Sequence, residues 1–331
     1  MNSNTVQKAI IAVWVPGANE YIIRTFSQVN FYTIPLEGKL PLLNGETIDI
    51  IKDYMYMVAD PTIAAHLIPF MPKLKWIQCI SAGVDGFFDN INRDRIPKNL
   101  IFTRMIGIYG KIMAEYVISQ IIGNERHYFK MHDNQLQHKW SKNGWGYRIM
   151  SDLTIGLMGF GDIGKTVAEL CMVFGSKIVV LVRSDRPTEN KFCYDITFTK
   201  DLPVFLSHCD YIISILPSTP LTKGMLNGGI LSHAKAKKPT FINLGRGDIV
   251  SEDEIIRAID ENWISGAILD VFEEEPLTPT SKLWDMPQIT ITPHISATCM
   301  PSLIAKVFQE NLSRYEQNQP LLGLVDFDKQ Y

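Results

Sequence analysis

No run in this sequence approaches the roughly 18 consecutive apolar residues that crossing a bilayer takes. The first eight residues are polar and hold no apolar core of the kind a secretion signal needs. The last four, Asp-Lys-Gln-Tyr, match no organelle address, so a cytosolic location is expected. An excess of positive charge is also missing: 32 Lys and Arg against 35 Asp and Glu leave a net charge of −3, which excludes a basic nucleic-acid footprint. The five cysteines (Cys79, Cys171, Cys193, Cys209, Cys299) are odd in number and never spaced C-x-x-C, so buried reduced thiols are expected rather than a disulfide frame. His66, His127, His132, His138, His208 and His233 show no metal-ligand spacing, and no metal is expected. Repeats of solenoid length and low-complexity tracts are absent as well.

What is present is a soluble composition, 46% hydrophobic over 331 residues, enough for two domains. Short apolar runs at 10–15, 31–34, 55–58, 76–80 and 100–103 alternate with helical stretches such as 61–70. That alternation predicts a parallel-sheet α/β domain. Its notable loop is Ser81-Ala82-Gly83-Val84-Asp85-Gly86, just past a strand, where backbone N–H groups of small residues could hold a carboxylate. An ordinary glycine turn would look the same. Residues 111–128 predict a long buried helix, apolar nearly all round, at a domain junction or subunit interface. An aromatic, polar region follows, with Trp140, Trp145 and Tyr147.

The second half is organised around residues 153–164, an apolar strand running into Gly159-Phe160-Gly161-Asp162-Ile163-Gly164. A helix is expected over 165–174, with Val167, Leu170, Cys171 and Phe174 on one side. Strand, G-x-G-x-x-G and helix in that order form the dinucleotide fingerprint. The first glycine makes the turn, the second admits the pyrophosphate to the backbone, and the third lets the helix pack against the strand. The helix N-terminus offers free N–H groups to the phosphates. Further strands are expected at 177–182, near 193–198, and at 210–216, 240–244, 266–269 and 288–292. Polar candidates gather at their ends: Pro217-Ser218-Thr219-Pro220, Gly245-Arg246-Gly247, Asp270 and Pro293-His294. The second of these strands ends at Arg183 and Ser184, a guanidinium and a hydroxyl suited to a ribose 2′-phosphate. NADP is therefore the preferred cofactor, with NAD open because Asp185 lies one residue further on.

Three stretches carry a resemblance: 241–247 with Arg246, 269–277 with Asp270 and Glu275, and 292–296 with His294. With Arg246 to Glu275 spaced by 29 and Glu275 to His294 by 19, behind a G-x-G-x-x-G, the chain resembles the D-isomer-specific 2-hydroxyacid dehydrogenases. Residues 81–85 are similar to that family's substrate-domain glycine loop, and 114–117 to the start of its inter-domain helix. The aromatic region and the Arg183-Ser184 end resemble most its glyoxylate/hydroxypyruvate reductase branch. One departure is the segment 105–111, which lacks the Asn-Thr-Pro-Gly-like turn of many members.

The resemblance implies two Rossmann-like or flavodoxin-like α/β domains with parallel sheets, and an active site in the cleft between them. It puts a discontinuous substrate domain at 1–102 plus 298–331 and the dinucleotide-binding domain at 103–297. It also implies NAD(P)H-dependent reduction of small 2-oxo acids. In that scheme His294, paired with Glu275, is the acid, since a neighbouring carboxylate favours imidazolium. Arg246 clamps the substrate carboxylate, helped by Ala82, Gly83 and Val84, with Trp140 lining the substrate. Gly159, Phe160, Gly161, Asp162, Ile163, Gly164, Arg183, Ser184, Leu216, Pro217, Leu244 and Asp270 hold the cofactor, Asp270 at the nicotinamide carboxamide. A homodimer through the cofactor domain is expected. Two rivals share these motifs: an NADH-linked enzyme for a bulkier 2-oxo acid, and a dinucleotide-sensing binding protein of the same fold.

Overall fold

The computed structural model describes residues 6–38, 40–142, 144–183 and 196–330. The chain divides into two units, one formed by Met1–Ile108 with Thr298–Tyr331, the other by Tyr109–Ala297.

The first unit holds strands β1 (Lys8–Ala12), β2 (Asn30–Thr33), β3 (Leu36–Glu37), β4 (Leu40–Pro41), β5 (Tyr56–Ala59), β6 (Trp76–Cys79) and β7 (Ile101–Thr103). β3 and β4 form a small antiparallel pair. The others make one parallel sheet in the order β2-β1-β5-β6-β7. Setting the small pair aside, this is the flavodoxin-like order. Every residue of β5 and β6 is buried, as expected of parallel strands covered on both faces. The helix Pro301–Glu316 returns to this unit through its aromatic side. Phe308 meets Phe26 edge-on at 4.8 Å, and Tyr315 stacks on Trp76 at 5.0 Å. Asn311, fully buried on the same helix, donates to Gln78 Oε1 at 2.8 Å and to the Leu322 carbonyl.

The second unit carries β8 (Thr154–Met158), β9 (Lys177–Leu181), β10 (Ile196–Thr199), β11 (Tyr211–Ser214), β12 (Thr240–Asn243), β13 (Gly266–Leu269) and β14 (Ile289–Ile291). All seven are parallel, in the order β10-β9-β8-β11-β12-β13-β14. Within the unit this reads 3-2-1-4-5-6-7, the Rossmann order with one strand added, so the order reverses between β8 and β11. The expected strand near 193–198 is β10; residues 193–195 lie outside the described residues.

Two helix expectations need correction. The long helix is Tyr109–Glu125, and a second begins at Tyr128, because His127 takes a left-handed conformation (φ 56°) that breaks the hydrogen-bond ladder. The first of the pair is buried along one stripe (Met113, Ala114, Val117, Ile121), with Ile112, Ile118 and Ile122 only half-buried. The helix after the glycines is Asp162–Val173; it buries Gly164, Val167, Ala168, Cys171 and Met172, while Leu170 is half-buried and Phe174 lies exposed beyond its end. The helix starts three residues earlier than the apolar pattern suggests, since the glycine turn supplies its first turn. Among the described residues no helix is long and apolar enough to cross a membrane, and no group of three or more His, Cys, Asp or Glu could hold a metal ion.

Candidate active site

The glycine turn leaves the carboxyl end of β8 at the point of strand reversal, where open α/β sheets take their ligands. Gly159 has φ +110°, which an L-residue rarely adopts. A Cβ on Gly164 would overlap the Gly159 carbonyl, so only glycine lets this helix come so near its strand. A Cβ on Gly161 would meet nothing within 4 Å, which is the open space a phosphate needs. The residues therefore fit a dinucleotide pyrophosphate. Phe160 is buried with its ring 5.4 Å from that of Phe198; Asp162 is exposed and Ile163 half-buried. Arg183 is exposed two residues beyond β9, and Ser184 and Asp185 lie outside the described residues.

Arg246 leaves the carboxyl end of β12 in a turn tied by Asn243, whose side-chain amide donates to the Arg246 carbonyl at 3.0 Å and whose Oδ1 accepts from Gly245 N at 3.3 Å. The flanking glycines let neighbouring loops close in. A Cβ on Gly245 would press on the backbone of Leu216, and one on Gly247 would overlap the Phe272 carbonyl. Leu216, Pro217 and Leu244 thus line the same end of the sheet.

His294 follows β14 and adopts φ +52°, a left-handed conformation that costs a non-glycine residue roughly 1–2 kcal/mol. Its loop is held by Asp270, which is completely buried. Asp270 Oδ1 accepts from Thr292 Oγ1 at 2.6 Å and Ile295 N at 2.9 Å, Oδ2 accepts from Ser296 N at 2.9 Å, and the Asp270 carbonyl accepts from His294 N at 2.9 Å. Tyr116 Oη lies 2.7 Å from Thr292 Oγ1. A carboxylate only accepts, so Thr292 donates to Asp270 and Tyr116 donates to Thr292.

His294 Nδ1 lies 2.7 Å from Glu275 Oε2. Burial pushes the Glu275 carboxyl up, but hydrogen bonds from His294 and from Phe272 N, with the charges of His294 and Arg246 behind them, outweigh it and hold the group below the usual carboxylate range. Glu275 is thus ionised near neutrality and Nδ1 is the donor, which leaves Nε2 as the ring nitrogen for chemistry. The histidine side chain is 51% exposed and Glu275 36%.

Of the residues read from the sequence, the structure joins Arg246, Glu275 and His294 at one end of one sheet. Trp140 is elsewhere: it is 94% exposed and lines a groove of about 1000 Å³ with His127, Tyr128, Met131 and Trp145 that contains none of those three. In the first unit, Ala82 and Gly83 are half-buried, and Val84 buries its side chain. The sequence motifs contain Asn243 and Thr292 without showing what they hold, and nothing in them points to the hydroxyl of Tyr116.

A seven-stranded parallel sheet with a glycine turn at its switch point defines a Rossmann-type dinucleotide-binding unit, here with an arginine, glutamate and histidine at the same edge. The NAD-binding domain of the D-isomer-specific 2-hydroxyacid dehydrogenases matches residues 118–296, and the chain belongs to that family of NAD(P)-dependent oxidoreductases. Solved structures agree. A D-isomer-specific 2-hydroxyacid dehydrogenase family protein from Aeromonas salmonicida is 28% identical, with 98% of this chain and 100% of that one covered and a TM-score of 0.81. An NADPH-dependent glyoxylate/hydroxypyruvate reductase from Sinorhizobium meliloti, solved with NADP and sulfate, is 26% identical over 98% and 100%, with a TM-score of 0.83. A D-isomer-specific 2-hydroxyacid dehydrogenase from Xanthobacter autotrophicus, solved with NADPH and MES, has a TM-score of 0.84 at 24% identity over 99% and 100%, a likeness of fold.

Proposed function

We propose that this enzyme reduces small 2-oxo acids, glyoxylate and hydroxypyruvate first, to D-2-hydroxy acids with NADPH. The observation that carries the reading is the 2.7 Å bond between His294 Nδ1 and an ionised Glu275, which dedicates Nε2 to proton transfer. Glu275 holds the ring in one tautomer. His294 then delivers its Nε2 proton to the carbonyl oxygen, and in the reverse direction takes it back. Arg246 pairs with the substrate carboxylate and polarises the carbonyl through its fixed fork. Ala82, Gly83 and Val84 offer backbone donors suited to a carboxylate. Asp270 acts by fixing the loop that carries His294, a role its burial favours over direct contact with the carboxamide.

The cofactor, when bound, supplies the hydride from its nicotinamide C4. Gly159, Gly161 and Gly164 make room for its pyrophosphate. Arg183 is the residue that favours a 2′-phosphate, in keeping with the NADP of the Sinorhizobium reductase. The test is the fall of 340-nm absorbance with NADPH against NADH, each with glyoxylate, hydroxypyruvate and phenylpyruvate. Fast oxidation of NADPH with the two small acids supports the reading. Preference for NADH overturns the Arg183 argument, preference for phenylpyruvate the substrate assignment, and dinucleotide binding without turnover the assignment as an enzyme of these acids.

The helix Tyr128–Leu136 has no buried residue although Tyr128, Phe129, Met131 and Leu136 are exposed on it, next to Trp140. Apolar surface of that density calls for a cover, and a second copy of the chain is the proposed one. Light scattering of the purified protein should give a dimer; a monomer at micromolar concentration would remove this part of the reading.

A further inference from the structure

Building on the proposed carboxylate role of residues 82–84, we infer that Arg104 is the positioning residue that aims those backbone donors at the substrate. It is the first residue past β7, and it lies beside the loop that follows β6. Three successive carbonyls of that loop are tied down. Met105 N donates to the Ser81 carbonyl at 2.9 Å, Arg104 Nη1 to the Ala82 carbonyl at 3.2 Å, and Ser81 Oγ to the Gly83 carbonyl at 2.8 Å.

In a trans peptide the carbonyl and the next N–H point in opposite directions. Anchoring those three carbonyls therefore turns the N–H groups of Ala82, Gly83 and Val84 away from Ser81 and the β7 exit. None of the three donates to an acceptor among the described residues. The loop thus presents consecutive free donors, an arrangement that binds anions. Two of its ties come from backbone or from the loop itself; the middle one depends on the Arg104 side chain.

Arg104 is itself held rigidly. Its N–H donates to the Gly323 carbonyl at 2.8 Å, and Thr103 bridges to Leu324 in antiparallel fashion. Its Nε is buried with no acceptor among the described residues. A buried donor without a partner is unfavourable, so the one side-chain hydrogen bond, to the Ala82 carbonyl, does not by itself account for the guanidinium's place. That tie and the positive charge beside the loop both favour a carboxylate on the far face of the Ala82–Gly83 peptide.

The experiment is steady-state kinetics and NADPH binding on the full-length enzyme with Arg104→Met, Arg104→Lys and Gly83→Pro, using glyoxylate as substrate and oxalate as competitive inhibitor. Arg104→Met should raise the glyoxylate KM and the oxalate Ki together by about tenfold or more, with kcat and the NADPH Kd within about threefold. Arg104→Lys, which keeps a charged donor for the Ala82 carbonyl, should recover most of the loss. Gly83→Pro removes one N–H outright and should raise KM whatever Arg104 does. If Gly83→Pro raises KM and Arg104→Met does not, the positioning role is wrong and the carboxylate reading survives. If neither raises it, both fall. An equal loss of kcat, KM and NADPH affinity in Arg104→Met, with no recovery in Arg104→Lys, would mean a merely structural arginine. Should Arg104→Met not fold, Arg104→Gln against Arg104→Lys reads the same KM difference and is decided by the same criterion.

Discussion

The two ends of the seven-stranded sheet handle charge in opposite ways. At the amino end, Arg148 reaches Glu125 at 2.6 Å and Asp210 at 3.0 Å, and Lys237 approaches Asp210 at 3.4 Å. Tyr211 donates to Glu125 at 2.9 Å, and Thr154 N to Asp210 at 2.8 Å. Asp210 is buried, Glu125 is half-buried, and every charge meets its opposite. At the carboxyl end, Glu275 has one basic hydrogen-bond partner, His294, and that partner is half-exposed with Nε2 left over. A saturated cluster can only hold strands together. An incomplete one, kept in place by a saturated neighbour such as Asp270, can exchange a proton. Ligands gather at carboxyl ends because the loops there are free to carry such incomplete groups.

That contrast breaks most sharply at Glu275. Glu275→Gln should lower kcat by about 10²-fold, because the ring loses the ionised acceptor that holds its Nδ1 proton; the melting temperature should stay within a few degrees. Turnover within a few-fold of the parent would remove the pairing argument. Arg148→Met should do the converse. Leaving Glu125 and Asp210 short of their main cation should cost about 2–3 kcal/mol in urea unfolding, with kcat of the folded enzyme within a few-fold.

The pH dependence of stability belongs to the amino end too. Burial raises the Glu125 carboxyl, but its bonds to Arg148 and Tyr211 outweigh this and leave it below its ordinary value. A carboxyl depressed in the folded state stabilises above the unfolded value near 4.5 and stops doing so as pH falls through the folded value. Urea midpoints should therefore drop from pH 5 to pH 3 in the parent and less steeply in Glu125→Gln. The smallest effect concerns Cys209, beside Asp210, whose thiol burial pushes up to about 12. Labelling of Cys209 by a thiol reagent at pH 8 should proceed no faster than unfolding; fast labelling would show the amino end to be open.

Much of this was legible in the sequence because it is local. The apolar runs, the glycine turn and the strand-end motifs each occupy a few consecutive residues, and parallel strands buried on both faces announce themselves by continuous hydrophobicity. The family resemblance placed Arg246, Glu275 and His294 before any geometry was known, and the structure brings these three residues to one edge. What escaped was what depends on distant partners. Tyr116 and Thr292 are 176 positions apart, and no pattern announces that they touch. The break at His127 rests on one left-handed residue inside an apolar stretch that reads as continuous helix. The exposure of Trp140 escaped as well, because an aromatic is equally at home in a pocket and on an uncovered surface.

The measurement that bears most directly on the central claim is the rate of glyoxylate reduction by His294→Asn, set beside its NADPH affinity and its fold. The account predicts a fall in kcat of about 10³-fold, with the dinucleotide Kd and the circular dichroism spectrum unchanged. Turnover within a few-fold of the parent would show that the proton comes from elsewhere and that the His294–Glu275 pair is not the acid of this enzyme.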